Sequence, residues 1–152
     1  VAHHPVVLPD AVLFACNLNT VRSPVAAALM RHRFGARVFV ESCGLRPGEG
    51  IDLFAAEVMA EAGFDMRGHQ PKGFEAITDG SFDLVVSLTP QAHHRATELA
   101  RGRAVELEYW PVADPTEGEG PREQRIQAYR DMRTELNRRI AERFPLSPGG
   151  GG

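Results

Sequence analysis

Residues 12–26 read Val12-Leu13-Phe14-Ala15-Cys16-Asn17-Leu18-Asn19-Thr20-Val21-Arg22-Ser23-Pro24-Val25-Ala26. A short apolar run ends on a cysteine, and six residues later an arginine opens an alanine-rich run. The apolar run, Ala11 to Ala15, fits a buried parallel strand. Ser23 as N-cap, Pro24 in the first turn and Gly35 as a stop predict a helix over Ser23–Phe34. A loop passing from strand to helix presents backbone N–H groups in one direction, and the helix dipole adds partial positive charge. Together they form an anion cradle. The same N–H groups favour the thiolate of a cysteine at the base of that cradle. Arg22 can fold back over it, with a planar fork suited to two oxygens of a tetrahedral oxyanion. Ser23 can donate its hydroxyl to the thiolate. Asn19 is one of the few residue types that tolerate positive φ, as a tight nest requires. C-x5-R alone would read as a buried structural cysteine beside an unrelated arginine. The strand before it, the helix after it, and Asn19 and Ser23 inside it favour a site built to hold phosphate against a thiolate.

Outward from this stretch, strand and helix patterns alternate. Arg37–Glu41 reads as a second strand. Ile51–Ala62 reads as an amphipathic helix with Leu53, Phe54, Val58 and Met59 on one side, stopped by Gly63. Asp83–Leu88 is a third strand and Pro90–Ala100 a helix. Ala104–Tyr109 alternates like an edge strand, and Arg122–Phe144 is a long charged helix with Ile126, Tyr129, Met132, Leu136 and Ile140 on its inner face. This alternation predicts a three-layer α/β domain with a mainly parallel sheet. Ligands of such sheets sit beyond the carboxyl ends of the strands, which is where Cys16 falls. Residues 1–146 are read as a single domain, and 147–152 as a flexible glycine-rich tail.

With 152 residues the chain is long enough to bury a core. A net charge of −3 gives no reason to expect nucleic acid or a membrane surface as partner. Lys72 is the only lysine. No run is apolar enough for a membrane span, and no signal peptide is legible at the start. Two cysteines do not make a disulfide scaffold, so a cytoplasmic location is expected.

The segment from Val12 to Cys16 and on through Arg22-Ser23-Pro24-Val25-Ala26 resembles the phosphate-binding loop of low-molecular-weight protein tyrosine phosphatases. It resembles equally that of their sister group, the thiol-dependent arsenate reductases. The resemblance extends over nearly the whole chain and implies a four-stranded parallel sheet between helices. Leu18 stands where the phosphatase loop has glycine, and Val21 where it has a second cysteine, so the usual protective disulfide is missing. Trp110-Pro111-Val112-Ala113-Asp114-Pro115 follows the fourth strand. The family carries its general acid on an Asp-Pro there, which maps to Asp114. On its own, Asp-Pro is a common turn. The family also hydrogen-bonds a serine and a histidine to the loop asparagine, and Ser42 and His69 hold the equivalent places.

The resemblance therefore implies a two-step phosphatase. Cys16 is the nucleophile, Arg22 holds the phosphoryl oxygens, and Asp114 is acid and then base. Asn17, Leu18, Asn19, Thr20, Val21 and Ser23 form the substrate-binding loop, braced by Ser42 and His69. No cofactor and no metal are expected. The expected substrate is a phosphotyrosine protein or a small aryl phosphate, although Thr116 and Glu117 follow Asp-Pro where phosphatases often carry tyrosines. Two alternatives stay open. One is a single-cysteine arsenate reductase that uses an external thiol, since Val85-Val86-Ser87-Leu88-Thr89-Pro90 carries no further cysteine. The other is a non-catalytic oxyanion-binding module. Cys43, next to Ser42, is expected to point away from it into packing. His3, His4, His93 and His94 suggest no metal site, and Glu117–Gly120 reads as a solvated loop.

Overall fold

The computed structural model describes residues 7–77 and 82–146. Four strands, β1 (Ala11–Cys16), β2 (Phe39–Gly44), β3 (Leu84–Ser87) and β4 (Glu106–Tyr109), form one parallel sheet in the order β2-β1-β3-β4. Four helices alternate with them: α1 (Arg22–Phe34), α2 (Leu53–Glu61), α3 (Pro90–Leu99) and α4 (Arg122–Arg143). The chain leaves β1 toward β2 on one side and returns to its other side with β3. β1 is therefore the strand at which the order reverses, and its carboxyl end is where such sheets open a crevice.

Every residue of β1 is buried. Its side chains alternate between two cores. Val12, Phe14 and Cys16 face α1, α2 and α4, among Met30, Val58, Ile126 and Leu136. Ala11, Leu13 and Ala15 face α3, among Ala92, Ala96 and Cys43. This is a three-layer α/β/α arrangement with a four-stranded parallel sheet. Ala26 and Ala27 have no exposed surface, so α1 lies close against the sheet. The buried face of α4 is Ile126, Tyr129, Met132, Leu136 and Ile140, as its spacing predicts. Among the described residues no helix is long and apolar enough to cross a membrane. The segment 147–152, read as a tail, lies outside the described residues.

Three local readings are corrected. β2 starts at Phe39, because Gly35 (φ 58°) turns residues 35–37 into a short 3-10 helix. The strand then continues through Ser42 and Cys43, paired with β1 as far as Cys16 opposite Gly44. Ser23 is not the N-cap of α1. Val21 holds that place without a side-chain cap, and the Ser23 hydroxyl is turned inward to Cys16 and Asn19. Leu53 is 84% exposed at the start of α2, whose buried side is Ala55, Val58 and Met59. There Asp52 caps the helix by accepting from the Ala55 N–H at 3.0 Å.

Candidate active site

The loop between β1 and α1 is held by its outer edge. The carbonyl of Cys16 accepts from the Leu45 N–H (3.2 Å), that of Asn17 from Arg46 (2.9 Å), that of Leu18 from Gly48 (2.9 Å), and that of Thr20 from Asp52 (3.0 Å). The Asn19 carbonyl accepts from His69 Nε2 at 2.7 Å. Five consecutive carbonyls are thus drawn outward. In a planar trans peptide the N–H points opposite to the C=O, so the N–H groups of residues 17–21 turn to the concave side. This is the geometry of an anion nest at a helix N-terminus. Gly44 makes the close approach possible, since a Cβ there would lie 2.7 Å from the Asn19 backbone nitrogen and 2.8 Å from the Asn17 carbonyl oxygen.

Leu18, in place of the family's glycine, does not disturb this path. Among the described residues Asn19 is the only non-glycine with positive φ, at 59°. Leu18 itself is 45% exposed at the rim. Val21 is buried.

Asn19 is fully buried and uses its whole amide. Nδ2 donates to Ser23 Oγ (2.7 Å) and Ser42 Oγ (2.9 Å), while Oδ1 accepts from the Lys72 N–H (2.9 Å). Asn19, Ser23, Ser42 and His69 therefore form one connected network. Burial lowers the His69 pKa from its ordinary value, partly opposed by the hydrogen bond to Asn19 and reinforced by nearby Lys72 and Arg31. The ring serves as a neutral donor through Nε2.

Cys16 Sγ sits at the base of the cradle, 2.9 Å from Ser23 Oγ, with the residue 3% exposed. Ser23 must accept from Asn19, so its own hydrogen is left for Cys16 Sγ or for the Cys43 carbonyl at 3.3 Å. Cys43 packs on the α3 side of the sheet, opposite to Cys16, and burial pushes its thiol far up, so it stays protonated.

Opposite the loop, residues 110–115 are pinned by buried side chains. Trp110 meets Phe14 edge-on at 5.9 Å, and Val112 and Pro115 are buried beside it. Asp114 is thereby projected toward Arg22. Arg22 Nη1 donates to the Val112 carbonyl (2.8 Å) and Nη2 lies 3.8 Å from Asp114 Oδ2. Cys16, Asn17, Leu18, Thr20, Val21, Arg22, Arg46, Asp114 and Thr116 line one pocket of about 160 Å³. Wider grooves of about 490 and 510 Å³ run along α1 but contain neither Cys16 nor Asp114. Among the described residues no group of three His, Cys, Asp or Glu side chains gathers to hold a metal ion.

Three contacts escaped the sequence reading. Thr89 caps α3 and its hydroxyl donates to Asn17 Oδ1 at 2.7 Å, tying the loop to β3. Arg46 joins the pocket wall, and Thr116 binds Asp114. A threonine directly before a proline that opens a helix was a legible cap signal for Thr89. Nothing local in the sequence pointed to Arg46.

Residues 11–144 match the family described as low molecular weight phosphotyrosine protein phosphatase. The chain belongs to that family. Within it, a protein of Geobacillus stearothermophilus named protein-arginine-phosphatase is 32% identical over 152 residues, covering 90% of this chain and 97% of that one. An arsenate reductase of Shouchella clausii (strain KSM-K16) is 26% identical over 129 residues, covering 85% of this chain and 91% of that one. The crystal structure of a YwlE mutant from Bacillus subtilis superposes with a TM-score of 0.68 at 26% identity, over 84% of this chain and 91% of that one. The phosphatase family thus includes relatives named for two kinds of oxyanion chemistry, and the fold alone does not separate them.

Proposed function

We propose that the chain is a cysteine-dependent phosphatase acting on phosphorylated protein side chains or small aryl phosphates through a cysteinyl-phosphate intermediate. The observation that carries this reading is the single pocket shared by Cys16, Arg22, Asp114 and the outward-tied loop. In the first step Cys16 Sγ attacks phosphorus in line. The S–P bond forms as the bond from phosphorus to the leaving oxygen breaks, and Asp114 gives its proton to that oxygen. Arg22 and the loop N–H groups stabilise the charge on the three other oxygens. In the second step water attacks the phosphocysteine, Asp114 takes a proton from it, and the S–P bond breaks to return the thiolate. Ser23, free to turn its hydrogen to Sγ, stabilises that thiolate as it leaves.

A second reading narrows the substrate to protein N-phosphoarginine. It is favoured by the pocket lining, which contains no aromatic side chain to sandwich a phenyl ring. Asp114, in the pocket wall, stands where a guanidinium would leave. The relative named protein-arginine-phosphatase supports the same direction. In this case Asp114 protonates the leaving nitrogen instead of an oxygen.

Turnover of phosphotyrosine peptide, phosphoarginine peptide and arsenate plus an external thiol, measured side by side, tests the reading. Phosphate release that disappears in Cys16→Ser supports it, and the preferred peptide chooses between the two substrates. Thiol consumption that depends on arsenate, without phosphate release from either peptide, makes the chain a reductase and overturns it.

A further inference from the structure

Asp114 is held by one side chain outside the loop it faces. The Thr116 N–H donates to Asp114 Oδ1 at 2.9 Å, and the Thr116 hydroxyl donates to the same oxygen at 2.7 Å. The other oxygen, Oδ2, is the one turned toward Arg22, at 3.8 Å from Nη2. Both Asp114 and Thr116 line the pocket. The two carboxyl oxygens therefore have separate surroundings. Oδ1 is occupied by two donors, one of them a backbone N–H that cannot turn round to accept. A proton on Oδ1 would point at that N–H, whereas Oδ2 has no donor within hydrogen-bond distance among the described residues, Arg22 Nη2 lying 3.8 Å away, and is free to carry a proton.

We propose that Thr116 is a positioning residue that assigns the transferable proton of Asp114 to Oδ2 and holds that oxygen toward the leaving group. This rests on the phosphatase reading above. Thr116 stands directly after Pro115, so the side chain reaches back across one rigid residue and the carboxyl plane cannot rotate without breaking both bonds. In the first step the Oδ2–H bond breaks and the proton passes to the leaving oxygen. In the second, Oδ2 accepts a proton from the attacking water. Oδ1 keeps its two donors through both steps.

The test compares kcat/KM, which reports formation of the phosphoenzyme, for phenyl phosphate and 2,4-dinitrophenyl phosphate. Phenolate needs a proton to leave, whereas dinitrophenolate does not. Thr116→Val is expected to lose roughly 10- to 100-fold on phenyl phosphate, the range for one hydrogen bond to a charged group, and about twofold or less on dinitrophenyl phosphate. Thr116→Ser is expected to restore phenyl phosphate turnover, and Asp114→Asn to show the same leaving-group selectivity with a larger loss. Equal losses on both substrates would mean that Thr116 only shapes the loop, and wild-type rates on both would mean that it does nothing; either overturns the assignment. If Asp114→Asn is selective and Thr116→Val is not, the phosphatase reading survives and this one does not. A wild-type protein inactive on both substrates overturns the two together.

Discussion

The Ser23 hydroxyl stands 2.9 Å from the sulfur of Cys16, inside the first turn of α1 and shielded from solvent. Because Asn19 Nδ2 already donates to it at 2.7 Å, its hydrogen is directed to sulfur or to the Cys43 carbonyl, never back to Asn19. Ser23 thus turns its hydroxyl to a neighbouring sulfur and a buried amide rather than to the backbone of its own helix. Ser23→Ala is expected to lower kcat by roughly 10- to 100-fold while kcat/KM changes far less, since the hydroxyl stabilises the thiolate that departs from the phosphoenzyme in the second step. A KM effect alone, at unchanged kcat, would place Ser23 in ground-state binding instead.

Asn19 combines two requirements, a left-handed backbone and three hydrogen bonds through its side-chain amide. Asn19→Gly keeps the backbone freedom and removes the amide, whereas Asn19→Ala removes both. Each is expected to destabilise the fold by on the order of 2–4 kcal/mol, with alanine worse than glycine by about 1 kcal/mol. Urea denaturation of the three proteins measures the order. Equal stability of glycine and alanine would show that the loop does not enforce the positive φ.

Gly44 is the seat on which the loop rests. In Gly44→Ala the new Cβ meets backbone on both sides, at 2.7 and 2.8 Å, and neither side is a flexible chain end that can move away. The variant is expected to lose on the order of 2–3 kcal/mol of stability. It should also lose oxyanion affinity, measured with inorganic phosphate by calorimetry. Wild-type affinity in a stable Gly44→Ala protein would contradict the outward tethering of the loop.

His69 makes stability depend on pH in a definite direction. Burial lowers its folded-state pKa below the unfolded value of about 6.5, so the unfolded chain binds more protons in that range. This contribution is complete above about pH 6.5 and is lost as the pH falls from there toward the folded pKa. His69→Gln retains a donor for the Asn19 carbonyl but cannot titrate. The melting temperature of the wild type should therefore fall relative to His69→Gln between about pH 7 and pH 5. Parallel curves for the two proteins would show that the ring is charged equally in both states.

The positions legible in the sequence are those fixed by local chemistry. Cys16 at the end of a run buried on both faces, Pro24 in the first turn and Gly35 with positive φ declare a strand, a loop and a helix within 25 residues. The inner face of α4 follows from its spacing in the same way. Ser23 was misread as a cap because composition at a helix start cannot say whether a hydroxyl turns to its own backbone or to a neighbour's sulfur. Leu53 was misread as core because a nine-residue helix carries its periodicity in too few turns. Arg46 in the pocket wall and the Val112 carbonyl that holds Arg22 could not be read at all, since they meet these partners only through the tertiary approach of the 44–52 and 110–115 segments.

The most direct test of the central claim is to mix the protein with p-nitrophenyl phosphate, quench in acid within the first turnover, and map the modified residue by mass spectrometry. The account requires a burst of nitrophenolate equal to the active sites and a phosphate on Cys16, both absent in Cys16→Ser. Steady phosphate release with no burst and no modified Cys16, unchanged by Cys16→Ser, would contradict it.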